Sequence, residues 1–370
     1  MNSQFSNMPM TRKLIIVLVI MGLLPAIIVG LIANYEAASL LEEEAINNLT
    51  AVRESRKSGI ERYLNRINDQ VTIMAGQQNI ISAMKDFNRD FNQYRQQSPK
   101  FNISSARESV ANYYREQFGK EFKSQNKKSA NVDAVLRSLT ANTLALQNDY
   151  ISENQHPLGS KDTLDSASGR ANYHTSHGRY HPEIRAFLQK FSYYDIFLVD
   201  IKSGNIVYSV FKELDFATSL KNGPYSDTNF AEAFTRAASD LKKGESYLSD
   251  YKLYYPSYEA PASFISSPIY DGNKKVGVLV FQMPMAEINN IMAERSGMGE
   301  TGEAYLVGPD KLMRSDSFLD PVTHSVIESF RHPEIGMVDT SAVDQAIAGK
   351  THAEIVTDYN GHPVFSAYTP

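Results

Sequence analysis

The chain has 370 residues, more than one ordinary domain uses. Hydrophobic residues make up 42% and charged residues 21%, a globular composition, and a net charge of −5 supplies no basic field that would attract nucleic acid. There is no cysteine, which excludes a disulfide framework, a thiolate nucleophile and any cysteine-ligated zinc or iron–sulfur centre.

Leu14–Ala33 is twenty residues without a charge, LIIVLVIMGLLPAIIVGLIA. As a helix it spans about 30 Å, the hydrocarbon thickness of a bilayer. Arg12 and Lys13 precede it, and Glu36, Glu42, Glu43 and Glu44 follow. That asymmetry predicts a cytoplasmic segment over 1–13, a transmembrane helix over 14–34, and everything beyond Tyr35 outside the membrane. The run is too long for a signal-peptide core and lacks a small-residue cleavage pattern, so an uncleaved anchor is expected. Pro25 is tolerable within a membrane helix.

From Glu36 to about Tyr94 the pattern is helical. Ile60, Leu64, Ile67, Val71 and Met74 step by 4, 3, 4 and 3, a narrow apolar stripe of coiled-coil type. We therefore expect 35–150 to be a long helical stalk that pairs with a second copy. The polar stretch Gln96–Ser105 interrupts it, and further helical stretches are expected over Ala106–Phe122 and Val132–Asp149. His156–Pro182 turns polar and rich in Gly, Ser and His. His174, His177 and His181 have a spacing that invites a metal reading, but Gly178 and Pro182 argue for a loop running into a helix start. Histidines bonding backbone groups is the expectation there, with no metal.

The period then changes from helix to strand. Tyr194–Asp200 and Ile206–Phe211 flank a turn at Lys202–Asn205 and read as a hairpin. Phe230–Leu241 reads as a helix, and Ser246–Tyr255, Ala262–Tyr270 and Val276–Met285 as three more strands. Together they predict an α+β module with one five-stranded antiparallel sheet over 151–294. A helix over Ala286–Glu294 leads to Gly297–Gly302 and a strand at Glu303–Val307. Strand-like segments at Ala353–Thr357 and Val364–Tyr368 follow, giving a smaller, incomplete module over 295–370.

No catalytic constellation is present. The sequence lacks G-x-S-x-G, H-E-x-x-H and P-loop patterns, and Gly297–Gly302 matches G-x-G-x-x-G only where a strand follows rather than a helix. The chain is therefore expected not to be an enzyme and to need no cofactor.

Four segments carry a resemblance: YYDIFLVDIKSGNIVYSVFKELDF, GPYSDTNFAEAF, PASFISSPIYDGNKKVGVLVFQMP and GMGETGEAYLVGPDKLMRSDS. In order and type they resemble the strands of a double Cache domain, the PAS-like extracytoplasmic sensor of bacterial chemoreceptors and related signalling proteins. The resemblance covers roughly 40–370. It implies a membrane-distal module that holds a small ligand, a membrane-proximal module, and a homodimer through the stalk in the bacterial inner membrane, with the bulk of the chain periplasmic. Output to chemotaxis through a methyl-accepting cytoplasmic region is the expected role. A histidine kinase or nucleotide cyclase receptor, or a tethered binding protein, is the alternative. A receptor must return to the cytoplasm, so the sequence is read as an N-terminal fragment with a second span expected beyond it.

In that family ligand contacts come from middle strands and the loops capping them, here Tyr208–Phe216, Gly223–Tyr225 and Asp250–Tyr258. The candidates are Lys212 and Asp215 as charge partners, Tyr208, Tyr225, Tyr251 and Tyr258 as aromatic walls with hydroxyls, and Asp250 for a ligand ammonium. The amino-acid-binding subtype carries an Arg and a Trp on a distal strand. This chain has no Trp, so that ligand class lacks its usual marks.

Overall fold

Residues 8–98 and 101–370 are described by the structure, a computed structural model. The expected cytoplasmic segment 1–13 and the polar break Gln96–Ser105 therefore fall partly outside the described residues.

Helix α1 runs Met10–Ala75 with Pro25 inside it, and its apolar N-terminal stretch is exposed along its whole length. It contains the one segment, among the described residues, long and apolar enough to cross a membrane. Gly76-Gln77 breaks the helix, and α2 (Gln78–Gln97) follows. Helices α3 (Ile103–Tyr113), α4 (Gly119–Asn126), α5 (Val132–Ser138) and α6 (Ala141–Gln147) come next, with wide π turns at Tyr114–Phe118 and Asn148–Ser152. Asn102 caps α3 by accepting from the Ser104 and Ser105 amides, and Thr140 caps α6 through the Thr143 amide.

Helix α7 spans Asn172–Phe191. The expectation of a loop here is corrected: Gly178 and Pro182 both lie within the helix. Proline lacks the amide that would bond the Gly178 carbonyl, a local cost. Burial of Tyr173, His177, Tyr180, His181, Ile184 and Leu188 along one face outweighs it.

Strands β1 (Asp195–Asp200) and β2 (Ile206–Ser209) form the predicted hairpin. After α8 (Asn229–Ser239) the expected strand Ser246–Tyr255 divides into β3 (Tyr247–Leu248) and β4 (Lys252–Tyr254). They belong to different sheets, because Ser249 and Asp250 between them bond elsewhere: the Ser249 carbonyl accepts from Ser263 and the Asp250 carbonyl from Asn229. Strand β5 (Ala260–Ala262) pairs with β4, while β6 (Phe264–Asp271) and β7 (Lys274–Gln282) form a hairpin around Gly272, whose φ of +60° suits glycine. The main sheet is antiparallel in the order β2-β1-β7-β6-β3.

Both faces of that sheet are covered, which is why its strands read as continuous apolar runs. In register, Ile196, Phe281 and Ile265 lie on one face, where Phe187 of α7 packs on Phe281 and Met84 of α2 approaches Gly277. Phe197 and Ser266 lie on the other, against Phe230 and the Ala233 carbonyl of α8. The stripe Ile60, Tyr63, Ile67, Val71 and Met74 of α1 is buried in this same core. The expectation that Ile67 is free to pair with another copy is corrected: only 2% of it is exposed. This core belongs to a compact unit of Ser58–Glu294 with Glu303–Met337, which also includes α9 (Met285–Met292), α10 (Val326–Arg331) and α11 (Pro333–Gly336). The expected strand Glu303–Val307 does not form. Val307 makes a single bridge to Met313, and Ala304 and Leu306 are spent on packing against the core.

A second unit comprises residues up to Lys57, Arg295–Gly302 and Val338–Pro370. It contains α12 (Ser341–Ile347) and the hairpin of β8 (His352–Thr357) and β9 (Pro363–Tyr368), with Ala342, Val356 and Tyr368 as its small core. Within it, Arg53 donates to the carbonyls of His352 and Tyr368, and Asn48 to that of Gly297.

Candidate functional site

The chain leaving β2 turns sharply through Ser209–Ala217, and the chemistry concentrates there. Lys212 has φ +61° and Ala217 φ +65°, left-handed conformations that cost a non-glycine residue of the order of 1 kcal/mol. The Lys212 side chain runs inward rather than to solvent. Its Nζ donates to the carbonyls of Ser209 (2.6 Å) and Val210 (3.2 Å) and lies 5.1 Å from the Tyr208 ring centre and 5.7 Å from that of Phe216. Burial pulls its pKa below the usual lysine range, and the Asp195 carboxylate acts against that pull.

Asp195 opens β1. Its Oδ1 accepts the amides of Ile196 (2.6 Å), Val210 (2.8 Å) and Phe211 (3.0 Å), which pins the turn to the sheet. Among the described residues its Oδ2 has no hydrogen-bond partner. Burial, and then Asp215, push the Asp195 carboxyl well above its usual range. Asp215 is itself raised to about 6 by burial, against the lowering effect of the Tyr254 hydroxyl that donates to it at 2.7 Å. Glu213 accepts from Tyr194 (2.9 Å) and Ser257 (3.2 Å), and burial followed by Asp215 and Asp195 holds its carboxyl high as well. Three carboxyls and one ammonium thus share a low-dielectric interior.

A cavity of about 80 Å³ opens beside this turn. Lys212, Glu213 and Leu214 form its floor, and Tyr194, Phe211, Tyr113, Phe118 and Tyr258 supply aromatic walls. Tyr258 stacks on Phe118 at 5.0 Å and Tyr194 on Phe211 at 5.5 Å, so two ring pairs border the space. Tyr258, like Lys212, is held left-handed, at φ +59°. Strain at two residues lining one cavity is the pattern expected where geometry is fixed for binding. A second, more open groove of about 310 Å³ lies along the Lys202–Asn205 turn and the Thr218–Pro224 loop. Its Lys221 is committed to the carbonyls of Ile201 and Lys202.

The seven candidates separate. Lys212 and Tyr258 line the cavity. Asp215 is buried behind it, bonded to Tyr254, and Lys212 takes backbone carbonyls rather than Asp215 as hydrogen-bond acceptors. Tyr225 and Tyr251 are buried, with hydroxyls that lack a partner among the described residues. Tyr208 faces the α2–α7 layer, stacked on Phe87 at 4.7 Å. Asp250 does not stand free for a ligand ammonium: Arg314 donates to both its oxygens, at 2.8 and 2.7 Å. Sequence reasoning missed Glu213, Tyr194, Tyr113 and Phe118. Glu213 sat unremarked between two chosen residues, and Tyr113 and Phe118 lie far back in the chain, where nothing local marks them.

The three histidines lie on α7 inside the core. His177 bonds the Asp165 carbonyl and stacks on His181 at 4.3 Å, and His181 bonds the Asp162 carbonyl. Burial, and then the neighbouring Lys212, hold the pKa of His177 far below normal and that of His181 at about 2. Among the described residues, no group of three or more His, Asp or Glu side chains is arranged to hold a metal ion.

No family model and no curated protein matches the sequence. The solved structures to which this chain is similar include sensor domains. The periplasmic sensory domain of the Campylobacter jejuni chemoreceptor Tlp1 is 14% identical with a TM-score of 0.35, over 68% of this chain and 86% of that one. The ligand-binding domain of the Pseudomonas fluorescens chemoreceptor CtaA, solved with L-leucine, is 16% identical with a TM-score of 0.29, over 71% and 88%. The sensor domain of the V. cholerae histidine kinase DctB is 14% identical with a TM-score of 0.27, over 48% and 57%.

Proposed function

We propose that this chain is the extracytoplasmic sensing region of a transmembrane chemoreceptor, which binds a small molecule in the cavity beside Lys212 and Glu213. The observation that carries the reading is that cavity. It is small and aromatic-walled, bordered by a carboxyl held above its normal pKa and by two residues in strained backbone, inside a module tied by α1 to an apolar span. A concave, mostly apolar site with a few convergent polar groups is what small-molecule recognition requires. In this reading residues 14–34 cross the bacterial inner membrane, the sheet modules are periplasmic, and two copies pair through α1. The ligand shifts α1 only to the extent that it binds two states of the module unequally. A histidine kinase or cyclase output would use the same sensor, since sensor modules are shared between outputs.

Thermal melting of the purified chain against a library of small metabolites tests the reading. A binder should raise Tm in the parent chain and not in Tyr258→Ala. A library without a single stabilising compound, or stabilisation untouched by that substitution, would count against this cavity as the sensing site.

A further inference from the structure

The sensing reading leaves the ligand's chemistry open, and the charge around the cavity narrows it. We propose, resting on that reading, that the site takes a small organic anion, a carboxylate with a short apolar tail, held by the ammonium groups of Lys161 and Lys212.

Four observations point there. First, Lys161 and Lys212 both line the cavity, and they are only 3% and 1% exposed. Among the described residues neither ammonium makes an ion pair with a carboxylate. Lys212 Nζ donates to the carbonyls of Ser209 and Val210, and Lys161 Nζ to that of Asn154 at 2.6 Å. A buried ammonium without a counter-ion is costly, and one anion in the cavity would neutralise both.

Second, nothing in the lining cancels that positive field. Glu213 is the one carboxyl that lines the cavity, and burial holds it far above the usual range, so it faces the space as an uncharged acid. Asp195 is committed to three amides and Asp215 to the Tyr254 hydroxyl. The field is felt nearby: burial pulls both lysines below their usual range, and Lys212 in turn helps to depress His177 and His181.

Third, donors are left over. An ammonium carries three N–H groups; Lys212 uses two of them and Lys161 one. A carboxylate only accepts, and it forms its shortest bonds to charged donors. Fourth, the remaining wall suits a short tail. Phe118, Leu158, Phe211, Leu214 and Pro256 offer it apolar surface. The volume of about 80 Å³ is larger than one water and smaller than the roughly 150 Å³ that accommodates benzene, which suits about four or five heavy atoms, the size of acetate or propionate.

The test uses the full chain in dodecyl maltoside, an uncharged detergent. Sodium propionate is titrated against sodium chloride at matched ionic strength, with propionamide as the uncharged match in shape and ethylammonium chloride as the cation. We expect saturation transfer from the protein to the propionate methyl and a Tm rise of at least about 2 °C at saturation, with neither from the other two compounds. Lys161→Met should weaken the apparent affinity for propionate about tenfold. If that variant does not fold, the preference for propionate over propionamide in the parent chain decides alone. Propionamide or ethylammonium binding as tightly as propionate, or propionate binding unchanged in Lys161→Met, overturns the anion assignment. If propionate does not bind and some other compound stabilises the parent chain but not Tyr258→Ala, the anion class fails and the sensing site stands. If nothing stabilises the parent chain, both fail.

Discussion

Tyr208 and His181 share a hydrogen bond in the core: the phenol oxygen lies 2.7 Å from His181 Nδ1, while His181 Nε2 lies 2.6 Å from the Asp162 carbonyl. A carbonyl only accepts, so Nε2 carries the proton and Nδ1 accepts from Tyr208. The imidazole is neutral, and there is no room in this arrangement for a second proton.

Acid sensitivity follows. His181 has its pKa lowered to about 2, chiefly by burial, whereas in the unfolded chain it titrates near 6.5. Its contribution to stability is complete above about pH 6.5 and is lost as pH falls. At pH 5 the loss amounts to about 2 kcal/mol. His181→Gln can still accept from Tyr208 and donate to Asp162. Urea unfolding at pH 7 and pH 5 should show a decline smaller by about that amount in the variant; equal declines would mean that His181 is not buried neutral.

Asp215 works in the opposite sense. Burial raises its folded-state pKa to about 6, against about 3.9 unfolded. The stability it contributes is complete below about pH 3.9 and disappears as pH rises through 6, a change of about 3 kcal/mol. Asp215→Asn keeps an acceptor for Tyr254. It should match the parent near pH 4 and exceed it by up to that amount at pH 8. A difference that stays constant with pH would sink the account.

Gly277 on β7 is a packing site. A Cβ there would lie 2.2 Å from Met84 Sδ on α2. Gly277→Ala should destabilise by about 1–3 kcal/mol, and adding Met84→Ala should recover part of it. Additive losses in the double variant would show that the two positions do not share one space.

Pairing through α1 needs an exposed position. Leu41 is 66% exposed, and Ile67 is buried within its own module. If α1 pairs, Leu41→Cys should cross-link to a second copy under oxidation and Ile67→Cys should not. A product that stays monomeric at Leu41 removes the stalk-pairing proposal.

Local sequence carried the apolar span and the five-strand sheet, because each depends on a period or a composition that neighbouring residues share. It misread α7. The signals of Gly178 and Pro182 are local and worth a few kcal/mol, while the burial that overrides them comes from α2, β2 and the 162–165 segment. The strand expected at Glu303–Val307 failed for the same reason: β-forming residues found a core before they found a partner strand.

The sequence by itself determined that this is a globular α+β chain with one apolar segment, without cysteine chemistry, whose hydrophobic stripe on α1 must be covered by something. Only the tertiary structure decided what covers it, the chain's own module rather than another copy. Only the tertiary structure, again, brought Tyr113 and Phe118 to Glu213 and Tyr258. Periodicity records which side of an element is apolar; which surface meets that side, and what space is left between them, depends on contacts between residues a hundred or more positions apart.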